Sequence, residues 1–390
     1  MYNTNNTVEH SFWNKNFVLL IISNMLLYVG VYMLFPVLHS WITVQWGNSD
    51  LETSLISALF GIGMFLPGAL NSYLIDRFKR KNVCTRSILL FALLGILYPY
   101  AEQEWMLCVL RIFQGALFGI ALMVTGSTLV IDVTPSSRRS KANWVFAFSG
   151  ALGMLVGASA GLFFSSLLPL NSLIYASALL SGISLLLVSM IEICFRAPLE
   201  PPLFSFDRFI LFRNIPPGIN MMTVPFILGT LIAYKNDSFF YLCVALGFIL
   251  FWFMPRAFKV KMEGRLMVII GNILIAVSLY VLSSCGGIIC TYVAGVVAGL
   301  GIASAMCQYL KIMIRLPMHC ERGTGYNTYQ LMWEAGIMLG VNVGCFVCVS
   351  YGCSPILLSA MLCVAGVLDY VLFTHRYFQK RMKDRISTIK

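Results

Sequence analysis

The chain consists of long apolar segments separated by short polar or charged connections. Each segment is continuously apolar, and most reach the roughly 20 residues that a helix needs to cross a bilayer. Membrane β-barrels instead give ten-residue segments of alternating polarity, which this sequence lacks. The pattern predicts twelve spans, at residues 17–43, 52–75, 83–101, 105–131, 143–167, 172–194, 216–234, 238–258, 265–283, 287–314, 324–350 and 353–374.

Proline residues interrupt some of these segments. Pro67, Pro99 and Pro225 predict breaks or turns in the second, third and seventh spans, because proline cannot continue the hydrogen bonding of a helix. With 59% hydrophobic and 11% charged residues, the composition excludes a soluble protein, and the connections leave no room for a separate soluble domain. We therefore predict an all-α, multi-pass membrane protein whose first span is retained rather than cleaved as a signal peptide.

The chain has a net charge of +11, and the distribution of its basic residues indicates how it is oriented in the membrane. Of the 27 Lys and Arg residues, 25 fall in the terminal tails and in the loops after even-numbered spans. Basic residues accumulate on the cytoplasmic side of a membrane protein, so both termini are predicted to be cytoplasmic, in the cytoplasmic (inner) membrane. The basic residues punctuate apolar runs instead of forming one basic surface, which argues against a nucleic-acid partner.

An internal repeat appears at an offset of 183 residues. Arg139 precedes a stripe of glycines, and Arg322 precedes a second stripe at the same spacings; the glycines are Gly153, Gly157, Gly161 and Gly336, Gly340, Gly344. Small residues at every fourth position allow membrane helices to pack closely. We predict two pseudo-symmetric six-helix halves, with an N-terminal half at 1–194, a cytoplasmic central loop at 195–215 and a C-terminal half at 216–390.

Two charged motifs carry a family resemblance. Asp76-Arg77-Phe78-Lys79-Arg80-Lys81 follows span two and is similar to the Asp-Arg-x-Gly-Arg-Arg signature of the major facilitator superfamily, with Lys79 in place of Gly. Arg111-x-x-Gln114-Gly115 in span four resembles that family's Arg-x-x-Gln-Gly motif. On these motifs the chain resembles the bacterial drug and metabolite efflux branch of the superfamily, which implies the major facilitator fold.

The resemblance also implies roles for particular residues. Asp76, with Arg77 and Arg80, would gate the cytoplasmic side by interacting with the start of span eleven near Thr324. A solvated loop with one incidental acid is the alternative. Spans one, four, seven and ten would line the cavity, offering Asn24, Tyr28, Tyr32, Arg111, Gln114, Asn220, Thr223 and Gln308.

Polar residues on one face of span eleven add candidate chemistry. Asn327, Gln330 and Glu334 share a face opposite the glycine stripe. Acids and bases within a membrane are expensive to bury and usually functional, so Glu334 is the predicted proton-coupling or ligand-binding acid, with Arg111 as its counterpart across the cavity. Packing roles are the alternatives: a hydrogen-bonded Glu334, a snorkelling Arg111, and an interfacial aromatic belt for the tyrosines of span one.

Together these features predict a secondary active transporter that moves a small amphipathic or weakly anionic solute by alternating access, as a monomer. Proton-coupled export by antiport is the first interpretation. A proton-linked importer or a facilitator stays open, because Ala158 stands where the family's antiporter motif has Pro, and a non-transporting receptor is the alternative from another class. We predict no enzymatic activity, no cofactor and no metal.

Overall fold

The computed structural model describes residues 12–193, 200–258, 263–352 and 354–389, and this part of the chain is almost entirely helical. Its helices fall into twelve segments, which we call spans one to twelve. They are Lys15–Trp46, Asp50–Phe65 with Asn71–Arg77, Arg80–Ile96, Glu104–Val124 with Val130–Asp132, Arg139–Ser165, Leu170–Ser189, Ile215–Met221 with Thr223–Tyr234, Ser238–Phe258, Gly264–Ser284, Ile288–Arg315, Arg322–Tyr351, and Pro355–Asp369 with His375–Ile389.

Most of these helices suit a bilayer by length and composition. Within the described residues, eight are long and apolar enough to cross a membrane, and a ninth is reached if the two helices of span seven count as one. Of the other three, span three has only 17 residues, whereas in spans eight and eleven the side chains of residues 255–258 and 344–351 lie outside the described part. The all-α membrane class is confirmed.

The predicted breaks at proline are confirmed. Span two stops at Phe65 and resumes through a 3-10 turn after Pro67, and Pro99 lies in the turn Tyr98–Tyr100 that ends span three. Span seven bends by 47° between its two helices, where Pro225 lacks the N–H that would bond to the carbonyl of Met221.

Span four contains a deviation that the hydrophobic pattern does not predict. Thr125–Leu129 forms a π-turn, and the hydroxyls of Thr125, Ser127 and Thr128 donate to carbonyls one turn earlier, at 2.5 to 2.8 Å. Hydroxyls that bond back to the helix backbone bend it, and π-turns concentrate at functional sites. Span twelve has a second π-turn, Tyr370–Thr374, beyond which the basic tail continues as a helix to Ile389.

Helix pairing repeats between the two halves. Span one packs against spans five and six, span four against two and three, and span three against six; the same pairs recur six spans later. Two further pairs join the halves, span two with eleven and span five with eight. The fold is therefore the predicted one of two pseudo-symmetric six-helix halves. Its predicted boundaries within the central loop stay a prediction, and residues 194–199 lie outside the described part.

The glycine stripes explain how the repeated pairs pack. Gly153 and Gly157 face the backbone of span one at Met25 and Val29, and Gly340 faces the backbone of span seven at Phe226. A side chain at these positions would meet a carbonyl oxygen of the neighbouring helix. The equivalent packing at an offset of 183 residues supports the repeat; the contacts of Gly344 lie outside the described side chains.

Ion pairs concentrate at one end of the bundle, which we call the basic end. Arg80–Asp132, Arg208–Asp76, Arg213–Glu321 and Arg77–Glu200 lie there. At the other end, the His39 end, His39 contacts Asp50 at 3.2 Å. Four basic residues counted in the charge pattern, Arg196, Lys259, Lys261 and Lys390, lie outside the described residues.

Candidate functional site

Glu334 lies completely buried in span eleven, and its carboxylate is held from the other half of the molecule. The Tyr32 hydroxyl donates to Oε2 at 2.5 Å and the Tyr28 hydroxyl donates to Oε1 at 3.0 Å. The two tyrosines are one helical turn apart in span one, so their rings stack with an interplanar angle of 2°. The acid thus receives two hydrogen bonds across the interface between the halves.

Arg111 is also buried, but it is held within the N-terminal half. Its Nη2 donates to the carbonyl of Ser57 at 3.0 Å, and its guanidinium lies over the rings of Phe35 and Phe60, at 5.0 and 4.7 Å from their centroids. Cation–π contacts of this kind stabilise a desolvated guanidinium. The structure does not bring Arg111 to the carboxylate of Glu334.

A chain of contacts nevertheless links the two charged groups. Tyr32, which donates to Glu334, stacks on Phe35 at 5.2 Å, and Phe35 carries the guanidinium of Arg111. Arg111 also donates to the hydroxyl of Tyr98 at 3.5 Å, and that hydroxyl donates to Gln114. The Arg-x-x-Gln motif of span four is therefore one hydrogen-bonded unit with Tyr98 at its centre.

A small central cavity lies beside Tyr28, at the interface between the halves. Its volume is about 20 Å³, which is room for about one water molecule. Spans one and five supply one wall and spans ten and eleven the other, so both halves enclose it. Its lining consists of Asn24, Tyr28, Phe146, Ala147, Gly150, Ala151, Met306, Tyr326, Tyr329, Gln330 and Trp333.

The predicted amides are placed in different surroundings. Asn24 lines the cavity and donates to the carbonyl of Phe146 and to Ser149, and Gln330 lines the opposite wall. Asn327 faces the basic end instead and donates to the carbonyls of Arg208 and Phe209.

Two predicted residues lie away from this cavity. Asn220 donates to Asp369 at 2.6 Å and to the carbonyl of Gly366, and it accepts from Tyr309, so it joins spans seven, ten and twelve. Gln308 packs against Gly264. Neither side chain contributes to the lining of the central cavity.

Asp76 contacts the central loop rather than span eleven directly. Both of its carboxylate oxygens accept from Arg208, at 2.9 and 3.0 Å, and the carboxyl side chain is only 13% exposed. Of its neighbours, Arg80 pairs with Asp132 at 2.7 Å, whereas Arg77 pairs with Glu200, which is 90% exposed. The predicted contact of Asp76 with the region near Thr324 is made through the loop.

Residues 205–211, which we call the latch segment, bridge spans two and eleven at the basic end. On one side, the N–H of Ser205 donates to the carbonyl of Ala69 at 2.9 Å. On the other side, the hydroxyl of Thr324 donates to the carbonyl of Asp207 at 2.6 Å, and the N–H of Leu211 donates to Thr328 at 2.9 Å. The segment closes the interface between the halves at this end.

Sequence reasoning missed several residues of the site. Tyr326, Tyr329 and Trp333 form the aromatic wall of the cavity, with ring centroids 6.0 Å apart along span eleven. Their spacing of three and four residues, beside the polar face of Gln330 and Glu334, is the signal that would have found them. Nothing in the sequence singles out Ser57 or Arg208. Among the described residues, no three His, Cys, Asp or Glu side chains gather as a metal site would require.

Comparison with known proteins gives consistent matches. The sequence profile of the Major Facilitator Superfamily matches residues 20–259. The chain is 24% identical to the putative transporter svop-1 of Caenorhabditis elegans over 39% of its own length and 29% of that protein. It is 23% identical to multidrug resistance protein 2 of Bacillus subtilis (strain 168) over 42% of its length and 41% of that protein.

The matched region thus spans less than half of either relative. A solved structure, that of the human organic anion transporter MFSD10, superposes over 91% of this chain and 98% of its own, with a TM-score of 0.64 at 12% identity. At that identity the likeness concerns the fold.

Proposed function

We propose that this chain, which belongs to the major facilitator superfamily, is a secondary active transporter that moves a small amphipathic solute by alternating access around the central cavity. Glu334 is the proton-coupling acid in this proposal. The observation that carries it is the pair of hydrogen bonds from Tyr28 and Tyr32 to Glu334, because they join the two halves across the surface that must open during transport.

These bonds give a physical route for coupling. A hydrogen bond to a carboxylate is roughly twice as strong as one between neutral groups. Protonation of Glu334 therefore weakens the attraction between spans one and eleven, and loss of the proton restores it. A change of charge at one buried atom is converted into a change in the free energy that holds the halves together.

The charged groups around the cavity limit which charge the solute can carry. Among the described residues, no charged side chain lines the cavity, and the buried cation of Arg111 already contacts Ser57, Phe35 and Phe60. The nearest charged group along the hydrogen-bonded contacts is Glu334, bound to the lining residue Tyr28. This arrangement favours a neutral or cationic amphipathic solute over the weakly anionic one that the sequence also allowed.

Gating is proposed to occur at the basic end, which the positive-inside pattern predicts to be cytoplasmic together with both termini. The Asp76–Arg208 pair fixes the latch segment, and the latch segment joins spans two and eleven. The arrangement supports a state that is closed on the cytoplasmic side, with Asp76 acting through Arg208 and with Arg80–Asp132 bracing the N-terminal half. We propose a monomer that exports its solute in exchange for protons across the cytoplasmic membrane.

The test is flux in reconstituted vesicles with and without an imposed pH gradient. A panel of one cationic, one neutral and one anionic fluorescent solute would be used, with the wild type and Glu334→Gln. We expect gradient-driven movement of at least one solute, lost in the variant. Movement that ignores the gradient would indicate a facilitator, uptake along the proton gradient an importer, and binding without movement a receptor.

A further inference from the structure

Three large apolar side chains are exposed where the chain enters the latch segment. Leu203, Phe204 and Phe206 expose 50, 68 and 62% of their surfaces, and none of them belongs to the lining of the central cavity. We call these three residues the apolar edge. Exposed apolar residues that gather on one surface mark a site of contact with another protein or with a membrane. The depth and the surroundings of the apolar edge distinguish between these two partners.

The apolar edge lies beside the interior of a membrane span rather than beyond its end. The N–H of Ser205, in the middle of this edge, donates to the carbonyl of Ala69 at 2.9 Å. Ala69 belongs to the apolar stretch Asp50–Arg77, which is 28 residues long. It precedes the charged end at Arg77 by eight residues, or about 12 Å at the rise of a helix. A headgroup layer is only about 5–8 Å thick, so the apolar edge lies at the depth where headgroups meet acyl chains.

The backbone of the latch segment is hydrogen-bonded as this depth requires. N–H groups at alternate positions have acceptors in span two, in span eleven or in the segment itself; they are those of Ser205, Asp207, Phe209 and Leu211. Span eleven in turn donates to three carbonyls of the segment, through Thr324 and Asn327. Where water is scarce, irregular backbone is tolerated only if its polar groups are bonded within the protein. A loop in open water would not need these contacts.

The apolar edge also continues the exposed apolar surface of span two. The ring of Phe206 lies 6.2 Å from that of Phe209, and the ring of Phe209 lies 6.2 Å from that of Phe65 in span two. Leu66, the next residue, is 61% exposed, and Ile62, one turn earlier, is 57% exposed. In a membrane this surface of span two faces lipid, so the apolar edge adjoins lipid without a polar gap between them.

We propose that the apolar edge inserts into the bilayer leaflet at the basic end, at the boundary between headgroups and acyl chains, and that the bilayer thereby holds the latch segment closed. Leucine and phenylalanine are typical of side chains that enter this boundary, and the exposed, charged Asp207 suits the headgroups beside it. The contacts with Ala69 and Thr324 set the depth of the segment, so insertion favours the state in which both contacts are made. Insertion itself does not depend on transport, and only its effect on opening rests on the proposed gating.

The depth of the apolar edge is measured with a nitroxide spin label at Phe204→Cys, which leaves Leu203 and Phe206 in place. The full-length protein, without other cysteines, is placed in phosphatidylcholine nanodiscs at one copy per disc, so that a second copy cannot cover the edge. Collisions of the label with oxygen, which concentrates among acyl chains, are compared with collisions with a water-soluble nickel chelate. We expect the ratio of oxygen to nickel collisions to be severalfold higher than for a label at Arg138→Cys, which is exposed at the same end. A label at Leu186→Cys, on the exposed surface of span six, gives the ratio for lipid contact.

Removal of the apolar edge should open the basic end. Phe204→Ser with Phe206→Ser keeps the backbone contacts of the latch segment but removes the side chains that enter lipid. In the same nanodiscs, we expect the population of long distances between spin labels at Arg138→Cys and Arg376→Cys to rise severalfold, because the closed state loses its contact with the bilayer.

The matched control also removes two exposed apolar side chains, but from span six. Leu179→Ser with Leu186→Ser, at positions that are 66 and 63% exposed, should keep the wild-type distances. If this control opens the basic end as far as the double variant of the apolar edge does, the bilayer does not hold the latch segment through that edge.

The outcomes separate this inference from the proposed function. A label at residue 204 that collides mainly with nickel faces water, and a label shielded from both reagents is covered by protein; either result overturns insertion. Insertion with unchanged distances in Phe204→Ser with Phe206→Ser overturns the effect on the latch segment. None of these measurements uses a solute or a pH gradient, so their failure leaves the dependence of flux on Glu334 as a separate test. Conversely, insertion without flux would retain the lipid contact and reject transport.

Discussion

Glu334 is the residue on which the coupling account depends. It is a fully buried acid. One carboxylate oxygen accepts from Tyr32, 302 positions earlier in the sequence, and the other accepts from Tyr28, 306 positions earlier. The polar face of span eleven was sufficient to predict the acid. Its partners were predicted only as cavity residues of span one, since the pairing depends on how the two halves meet and no local pattern encodes that.

Tyr32→Phe should destabilise the protein by about 1.5–3 kcal/mol, because it removes a 2.5 Å hydrogen bond to a buried carboxylate and fills the same volume. Thermal unfolding in detergent measures the effect. Tyr280→Phe, at a position that is 62% exposed, is the matched control and should leave the unfolding temperature unchanged. An equal unfolding temperature for Tyr32→Phe and Tyr280→Phe would contradict the hydrogen bond described here.

At the scale of helices, the positions of proline and glycine predicted where helices are interrupted and which faces pack closely. Pro67, Pro99 and Pro225 predicted the interruptions because the missing N–H is a local property of the residue. The π-turn at Thr125–Leu129 was not predicted. A hydroxyl that bonds to the backbone of its own helix can bend that helix, but whether it does depends on how the neighbouring helices pack. The latch segment was missed because the polar residues of a loop do not reveal which backbone groups they will meet.

Gly157→Ala should weaken the packing of span five on span one. A Cβ there would meet the carbonyl oxygen of Val29 at 2.6 Å, and overpacking of this kind costs about 1–3 kcal/mol. Gly182→Ala, where no atom lies within 4 Å of the added Cβ, is the control and should be neutral or stabilising. If both variants unfold at the wild-type temperature in detergent, the glycine stripe does not set the distance between these spans.

Asp76→Asn should release the latch segment and shift the population towards states that are open at the basic end. Asn offers one acceptor oxygen in place of two, so the bidentate ion pair with Arg208 would be reduced to a single, weaker hydrogen bond to a neutral amide. Distances between spin labels at Arg138→Cys and Arg376→Cys, on the two halves, report the shift in a background without other cysteines.

Two controls make the latch experiment specific. Glu200→Gln breaks a solvent-exposed pair at the same end, where ion pairs contribute little, and should leave the distances unchanged. The charge reversal Asp76→Arg with Arg208→Asp should restore the wild-type distribution. Unchanged distances in Asp76→Asn would remove the latch from the gating account.

At the scale of the molecule, the repeat at an offset of 183 residues anticipated which helices pair within each half. Arg139 and Arg322 begin equivalent helices, and Gly157 and Gly340 face equivalent neighbours. What the repeat cannot specify is the interface between the halves, where the symmetry is broken. Ala147 and Ala151 in span five correspond to Gln330 and Glu334 in span eleven, so the polar chemistry lies on one side only.

Orientation is tested by labelling single cysteines with a membrane-impermeant maleimide in intact cells. Ser166→Cys, at the end of span five near the His39 end, should react from outside. Arg138→Cys, at the basic end, should react only after the cells are permeabilised, as the distribution of basic residues predicts. Reaction of Arg138→Cys in intact cells would show that the basic end faces outward and would contradict the predicted topology.

The central claim is that a proton on Glu334 drives transport. Glu334→Gln preserves the shape of the side chain and can keep both contacts, because its carbonyl oxygen can accept from one tyrosine while its amide N–H donates to the hydroxyl of the other, but it cannot titrate. The decisive measurement compares two activities of this variant in the same vesicles: solute movement driven by a pH gradient, and exchange of labelled for unlabelled solute without a gradient. The account predicts that the first is abolished and the second is retained, whereas gradient-driven transport at the wild-type rate would show that Glu334 is structural and that the coupling group lies elsewhere.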